Sequence, residues 1–99
     1  MKFPPNEKYP KVVYIKNEAY KVKFTRRIKH YGDTCSVTKV IRIRDGMSKR
    51  ETFKTFLHEL LHAISFEGPR KVRLKHKLVY ALEDALFEVL IDNFFEDSK

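Results

Sequence analysis

The chain has little cysteine, little glycine and no long apolar run, and each shortage removes a class of protein. Its single Cys35 cannot close an internal disulfide, so the stability of a small secreted, disulfide-stapled scaffold is not open to it. No apolar stretch reaches the length of a membrane span, and Met1-Lys2-Phe3-Pro4-Pro5 passes directly into polar sequence without a signal-peptide core. With 3 Gly and 4 Pro there is no low-complexity tract, and no internal repeat divides the chain. These features together predict a cytoplasmic, reducing location with no membrane contact. The 99 residues are expected to form a single domain, 1–99, with residues 1–10 as a Pro-containing surface leader.

Acidic residues are also scarce, but only in one half. Residues 1–50 carry 14 Lys/Arg against 4 Asp/Glu, whereas residues 51–99 carry 7 against 9, so the net charge of +8 belongs to the N-terminal half. Such an excess suits an acidic partner or a nucleic acid, with Lys21, Lys23, Arg26, Arg27, Lys29, Arg42 and Arg44 to neutralise phosphates and Tyr20 or Tyr31 to stack on a base. No helix-in-groove motif or RNA-binding signature accompanies the charge.

The apolar pattern changes period midway. Val12-Val13-Tyr14-Ile15 starts a strand, and Tyr20, Val22 and Phe24 alternate with Lys21, Lys23 and Thr25 as a strand with one wet face requires. Gly32-Asp33 reads as a turn before a third strand over Ser36–Arg44, closed by Asp45-Gly46. Ser48-Lys49-Arg50-Glu51 is a capping box that opens a helix running to about Phe66, where Gly68-Pro69 stops it. A second helix is expected from about Leu74 to Phe94. The sum is an α+β fold: a small, mostly antiparallel three-stranded sheet packed with two helices.

On the first helix, Phe53, Phe56, Leu57, Leu60 and Ile64 form the apolar back, and His58 and His62 lie about 40° apart on the other side. Two imidazoles one turn apart can converge on one Zn²⁺, and Glu59 between them can take a proton from the water that attacks a carbonyl. A catalytic zinc needs a third protein ligand. Glu83 sits at the centre of the apolar stripe of the second helix, where an unpaired carboxylate would be costly, and is the first choice for that ligand. His76, seven residues earlier on nearly the same face, is the other candidate: a third ligand, an orienting hydrogen-bond donor or a residue of the cleft rim. Asp84, Glu88 and Asp92 project towards solvent, and His30 reads as a surface residue. Tyr80, one turn before Glu83, is placed to donate a hydrogen bond to a tetrahedral oxyanion.

The segment Thr55-Phe56-Leu57-His58-Glu59-Leu60-Leu61-His62-Ala63-Ile64 resembles the active-site helix of the zincin metallopeptidases, in particular the gluzincin branch and the small intracellular and phage-associated domains related to it. The resemblance runs from the strand ending at Arg44 to Leu82-Glu83. It implies a zincin-like minimal domain in which His58, His62 and Glu83 hold zinc, Glu59 polarises water, and an edge strand within Ser36–Arg44 pairs with an extended peptide substrate. A basic strand in that place would favour acidic substrates. The chain departs from the family pattern in three ways. It offers no accessory domain to wall the cleft, Phe87 stands where an acidic residue is expected one turn after the third ligand, and no Gly and third His follow the motif. The function implied is zinc-dependent peptide-bond hydrolysis. The alternatives are a catalytically silent zincin-like protein that binds a peptide or partner protein, and a basic nucleic-acid module with structural zinc.

Overall fold

A computed structural model describes residues 3–68 and 75–94. In chain order the elements are a 3₁₀ turn (Asn6–Lys8), β1 (Val12–Ile15), β2 (Glu18–Thr25), β3 (Gly32–Cys35), β4 (Val40–Arg44), α1 (Lys49–Glu67) and α2 (His76–Phe94). The α+β class is as expected, but the sheet has four strands in the order β1-β2-β4-β3 and is mixed. β1 and β3 pair antiparallel to their neighbours, whereas β2 and β4 run parallel. The expected mostly antiparallel three-stranded sheet is therefore corrected in its strand count and by the parallel pairing of β2 with β4.

The difference lies in residues 32–39. Gly32-Asp33 reads as a turn, yet it opens β3, because glycine serves there for close approach instead of chain reversal. A Cβ on Gly32 would meet the Arg42 carbonyl oxygen and Thr55 Cγ2 at 2.8 Å and Glu59 Cγ at 3.2 Å. The reversal comes later, in residues 36–39, where Lys39 takes φ 57°. Between β1 and β2 the two-residue turn Lys16-Asn17, at φ 50° and 70°, gives the doubly left-handed loop that matches strand twist in a hairpin.

Strand alternation and register divide the sheet into two faces. Ile15, Tyr20, Val22, Ile41 and Ile43 point inward and are buried; Tyr14, Lys21, Lys23 and Arg42 point outward and are exposed. α1 covers the inner face. Half of the expected capping box is present, with the Glu51 amide donating to Ser48 Oγ at 3.1 Å and no return bond to the Glu51 carboxylate among the described residues, and the Gly68 amide closes the other end on the carbonyls of Ile64 and Ser65. The buried stripe of α1 is turned from the apolar wheel: Thr52, Thr55, Phe56, Glu59 and Ala63 lie inside, while Ile64 is 48% exposed. Thr55 and Glu59 point in because β3 stands there, with Thr34 as a hydrogen-bonding partner for Glu59.

Residues 3–10 of the leader lie against the domain with Glu7, Lys8 and Pro10 exposed, and two aromatic rings tie them to it. Tyr9 is buried edge-on against Phe24 and Phe56, and the Phe3 ring lies 5.8 Å from Phe87 and 5.6 Å from Phe53. α2 packs on α1 through Val79, Glu83 and Phe87, a one-turn repeat of buried positions. The expected start at Leu74 and the stop at Pro69 lie outside the described residues. No described helix is long and apolar enough to cross a membrane.

Candidate metal centre

Sheet order decides what surrounds the histidines. To reach the far side of β4, the chain leaving β2 must cross the end of β4, and residues 26–31 make that passage, held by Arg44 Nη2 donating to the Ile28 carbonyl at 2.8 Å and by the Arg44 amide on the Tyr31 carbonyl at 2.7 Å. The crossing delivers Lys29, His30 and Tyr31 to the mouth of an open cleft of about 1150 Å³. β3 forms one wall with Gly32–Thr34, α1 the floor with His58, Glu59 and His62, and α2 the opposite wall with His76, Tyr80 and Glu83. His30 is thus at the cleft as well as exposed.

His58 and His62 converge as their spacing requires, with Nε2 atoms 3.1 Å apart. Two donors of a tetrahedral zinc, each at about 2.0–2.1 Å, would be separated by about 3.3 Å, close to the spacing of this pair. His76 joins them: one ring nitrogen from each of His58, His62 and His76 lies within 4.8 Å of the others. That spread exceeds the tetrahedral separation. His76 is exposed in the first turn of α2 and lines the cleft.

Glu83 is buried, as its place on the wheel implies, but it stands behind the imidazoles. Its Oε1 accepts from His58 Nδ1 at 2.6 Å, and Lys54 Nζ is 4.0 Å from Oε2. With the Nδ1 proton committed to Glu83, His58 Nε2 presents a bare lone pair to the cleft. This is how an orienting carboxylate fixes the tautomer of a metal-binding histidine. Burial, reinforced by the charges of His58 and His76, pushes His62 down to about 4, so its ring is neutral at pH 7.

Glu59 is only 5% exposed. Burial pushes its carboxyl above the usual range; the hydrogen bond from Thr34 and the nearby His58 pull it back. Thr34 Oγ1 donates to Glu59 Oε1 at 2.7 Å and lies 3.2 Å from its carbonyl oxygen. Thr34 was not singled out in the sequence, because its role depends on β3, which the pattern hid. Tyr80 is 55% exposed at the rim, its ring 4.8 Å from that of His58 and 5.3 Å from His76. Asp84 is exposed, as expected, but it also borders the cleft, where Lys54 pairs with it at 3.2 Å.

Two expectations drawn from the N-terminal half are corrected. Ser36–Arg44 supplies no edge strand: β4 lies between β2 and β3, and the edge beside the cleft is β3. Arg42 does not line the cleft; it sits on the outer face and pairs with Asp33 through both guanidinium branches. Tyr20 is fully buried, with its hydroxyl donating to Glu67 at 2.5 Å, and is closed to base stacking.

Comparison of the chain with protein-family models, with curated proteins and with solved structures finds no match.

Proposed function

We propose that the protein is a zinc-dependent metallopeptidase of zincin-like design that hydrolyses peptide bonds in the cleft between β3 and α2. The observation that carries this reading is the convergence of three imidazoles on one point, with a buried carboxylate on the residue next to His58. Zinc, when bound, supplies a Lewis acid that acidifies water and polarises a carbonyl. His58 and His62 are two of its ligands.

The third ligand comes from α2. His76 already shares the imidazole cluster, whereas Glu83 would have to leave His58 Nδ1 to become a ligand. We therefore assign the third position to His76 and give Glu83, the first choice from sequence, the task of holding the His58 tautomer.

Glu59 accepts the proton of the attacking water and returns it to the departing amine. Thr34 holds the carboxylate from behind, so that only one of its oxygens is free for this transfer. Tyr80 donates from the rim to the carbonyl oxygen as charge develops. The peptide lies along β3, whose outer edge has no strand beside it among the described residues.

Glu59→Gln decides the matter. Hydrolysis of an unfolded protein substrate by the zinc-loaded protein is expected to vanish while one zinc per chain is retained. Full activity in the variant would sink the assigned base, and a wild-type protein that holds zinc without hydrolysis would make this a peptide-binding relative of the peptidases.

A further inference from the structure

The histidine cleft leaves unexplained where most of the positive charge is spent. A second open groove, of about 890 Å³, lies between the N-terminal segment, β2 and the start of α1, and it shares no lining residue with the first. Lys11, Lys21, Lys23 and Lys49 surround it, and Phe24 and Met47 contribute apolar surface. All four lysines are exposed, and among the described residues none has a carboxylate partner. Two acids line the same groove. Asp45 is already engaged, accepting from Asn6 Nδ2 at 2.7 Å and lying 4.0 Å from Arg26 Nε, which leaves Glu7 against four free ammonium groups.

We infer that this groove binds a single strand of nucleic acid, with phosphates on the lysines and a base against the apolar surface. Three features favour that occupant. The cations come from separate elements, Lys11 ahead of β1, Lys21 and Lys23 on β2 and Lys49 at the head of α1, so an extended polyanion can bridge them. They are all ammonium groups on flexible stems, point charges that take a phosphate oxygen from any direction, as a flexible polyanion requires. Lys21 and Lys23 share one face of β2 two residues apart, which gives a repeated charge along a straight line. The surface is independent of the metal reading.

The test is fluorescence anisotropy with a labelled 12-nucleotide single strand, with inorganic phosphate, AMP and poly-glutamate as competitors. Four phosphate contacts predict a log–log salt slope of about −2.8, or about a fifty-fold weakening from 50 to 200 mM salt. Replacing Lys21 and Lys23 together by Gln should halve the slope to about −1.4 and reduce the weakening to about sevenfold. Lys21→Arg with Lys23→Arg should restore binding, and a circular dichroism spectrum checks that each variant is folded. Removal of metal with a chelator should leave the affinity unchanged, so a failed peptidase assay would not touch this result. Absence of binding at 50 mM salt, or indifference to the double Gln change, would overturn the inference. Equal competition by AMP would overturn the strand as occupant, and equal competition by poly-glutamate would overturn phosphate.

Discussion

Replacing Glu83 by Gln keeps the shape of the side chain and removes the charge that holds His58. In the folded protein the carboxylate is 6% exposed and 2.6 Å from His58 Nδ1, so the variant loses a short, charge-assisted hydrogen bond and the tautomer it enforces. Loss of such an orienting partner costs about 10–100-fold in metal affinity. With zinc at about 100 times the wild-type Kd, binding stabilises the fold by about 2.7 kcal/mol; a thirty-fold weaker site at the same zinc concentration leaves about 0.9 kcal/mol. In a domain of this size those figures correspond to melting-temperature increments of roughly 10–20 °C and roughly 3–7 °C. Thermal scans with and without zinc, combined with chelator competition for Kd, measure both. His76→Ala should be more damaging than Glu83→Gln, since it removes a ligand outright. If Glu83→Gln binds zinc as tightly as wild type, the orienting role is refuted; if it abolishes binding while His76→Ala is harmless, Glu83 is the ligand and the assignment of the two residues is reversed.

The fully buried Thr52 hydroxyl has no hydrogen-bond partner among the described residues, so Thr52→Val, which keeps the shape, is expected to stabilise by about 1 kcal/mol and to raise Tm by about 4–8 °C in a thermal melt. His62 is held down at about 4 against an ordinary value of 6.5, so the unfolded chain takes up its proton first. The metal-free protein should therefore lose urea resistance as pH falls from about 6.5 to about 4, and His62→Gln should flatten that limb. Glu67 is held below the usual carboxylate range by Lys39 and then Tyr20, which makes a contribution present above that range and lost as acid protonates the group; Tyr20→Phe should reduce it, read as a lower urea midpoint at pH 7 with a smaller difference at low pH.

The parts of this fold that were legible in the sequence are those in which one periodicity acts alone. The start of α1 could be read from Ser48 and Glu51, because capping depends on four neighbouring residues and nothing distant. Burial of Glu83 could be read from the wheel, since helix geometry places it between Val79 and Phe87 whatever the partner. What the carboxylate touches could not be read, because that depends on how α2 crosses α1. His76 marked the same difficulty: its shared face with Glu83 was visible, its proximity to His62 was not. β3 was hidden because its four residues include glycine and aspartate, both poor strand formers, and its place in the sheet comes from pairing with β4 and from close contact with α1. With β3 hidden, the parallel pairing of β2 with β4, the role of Thr34 and the true edge of the sheet were hidden with it.

Gly32 sets the gauge of the cleft. At position 32 the strand that forms one wall sets bare backbone against the Thr55 and Glu59 side chains of the helix that forms the floor, so the thickness of a single hydrogen atom there fixes how far apart the two stand. Alanine there has backbone atoms of Arg42 on one side and packed side chains of Thr55 and Glu59 on the other, and the methyl group can be admitted only if the wall moves outward. Such a shift would carry Thr34 away from Glu59 and widen the opening without altering one charge or ligand. The aperture of the cleft and the imidazoles that line it are thus set by different residues, and a change at position 32 would adjust the first, and the hold of Thr34 on Glu59 with it, while leaving His58, His62 and His76 in place.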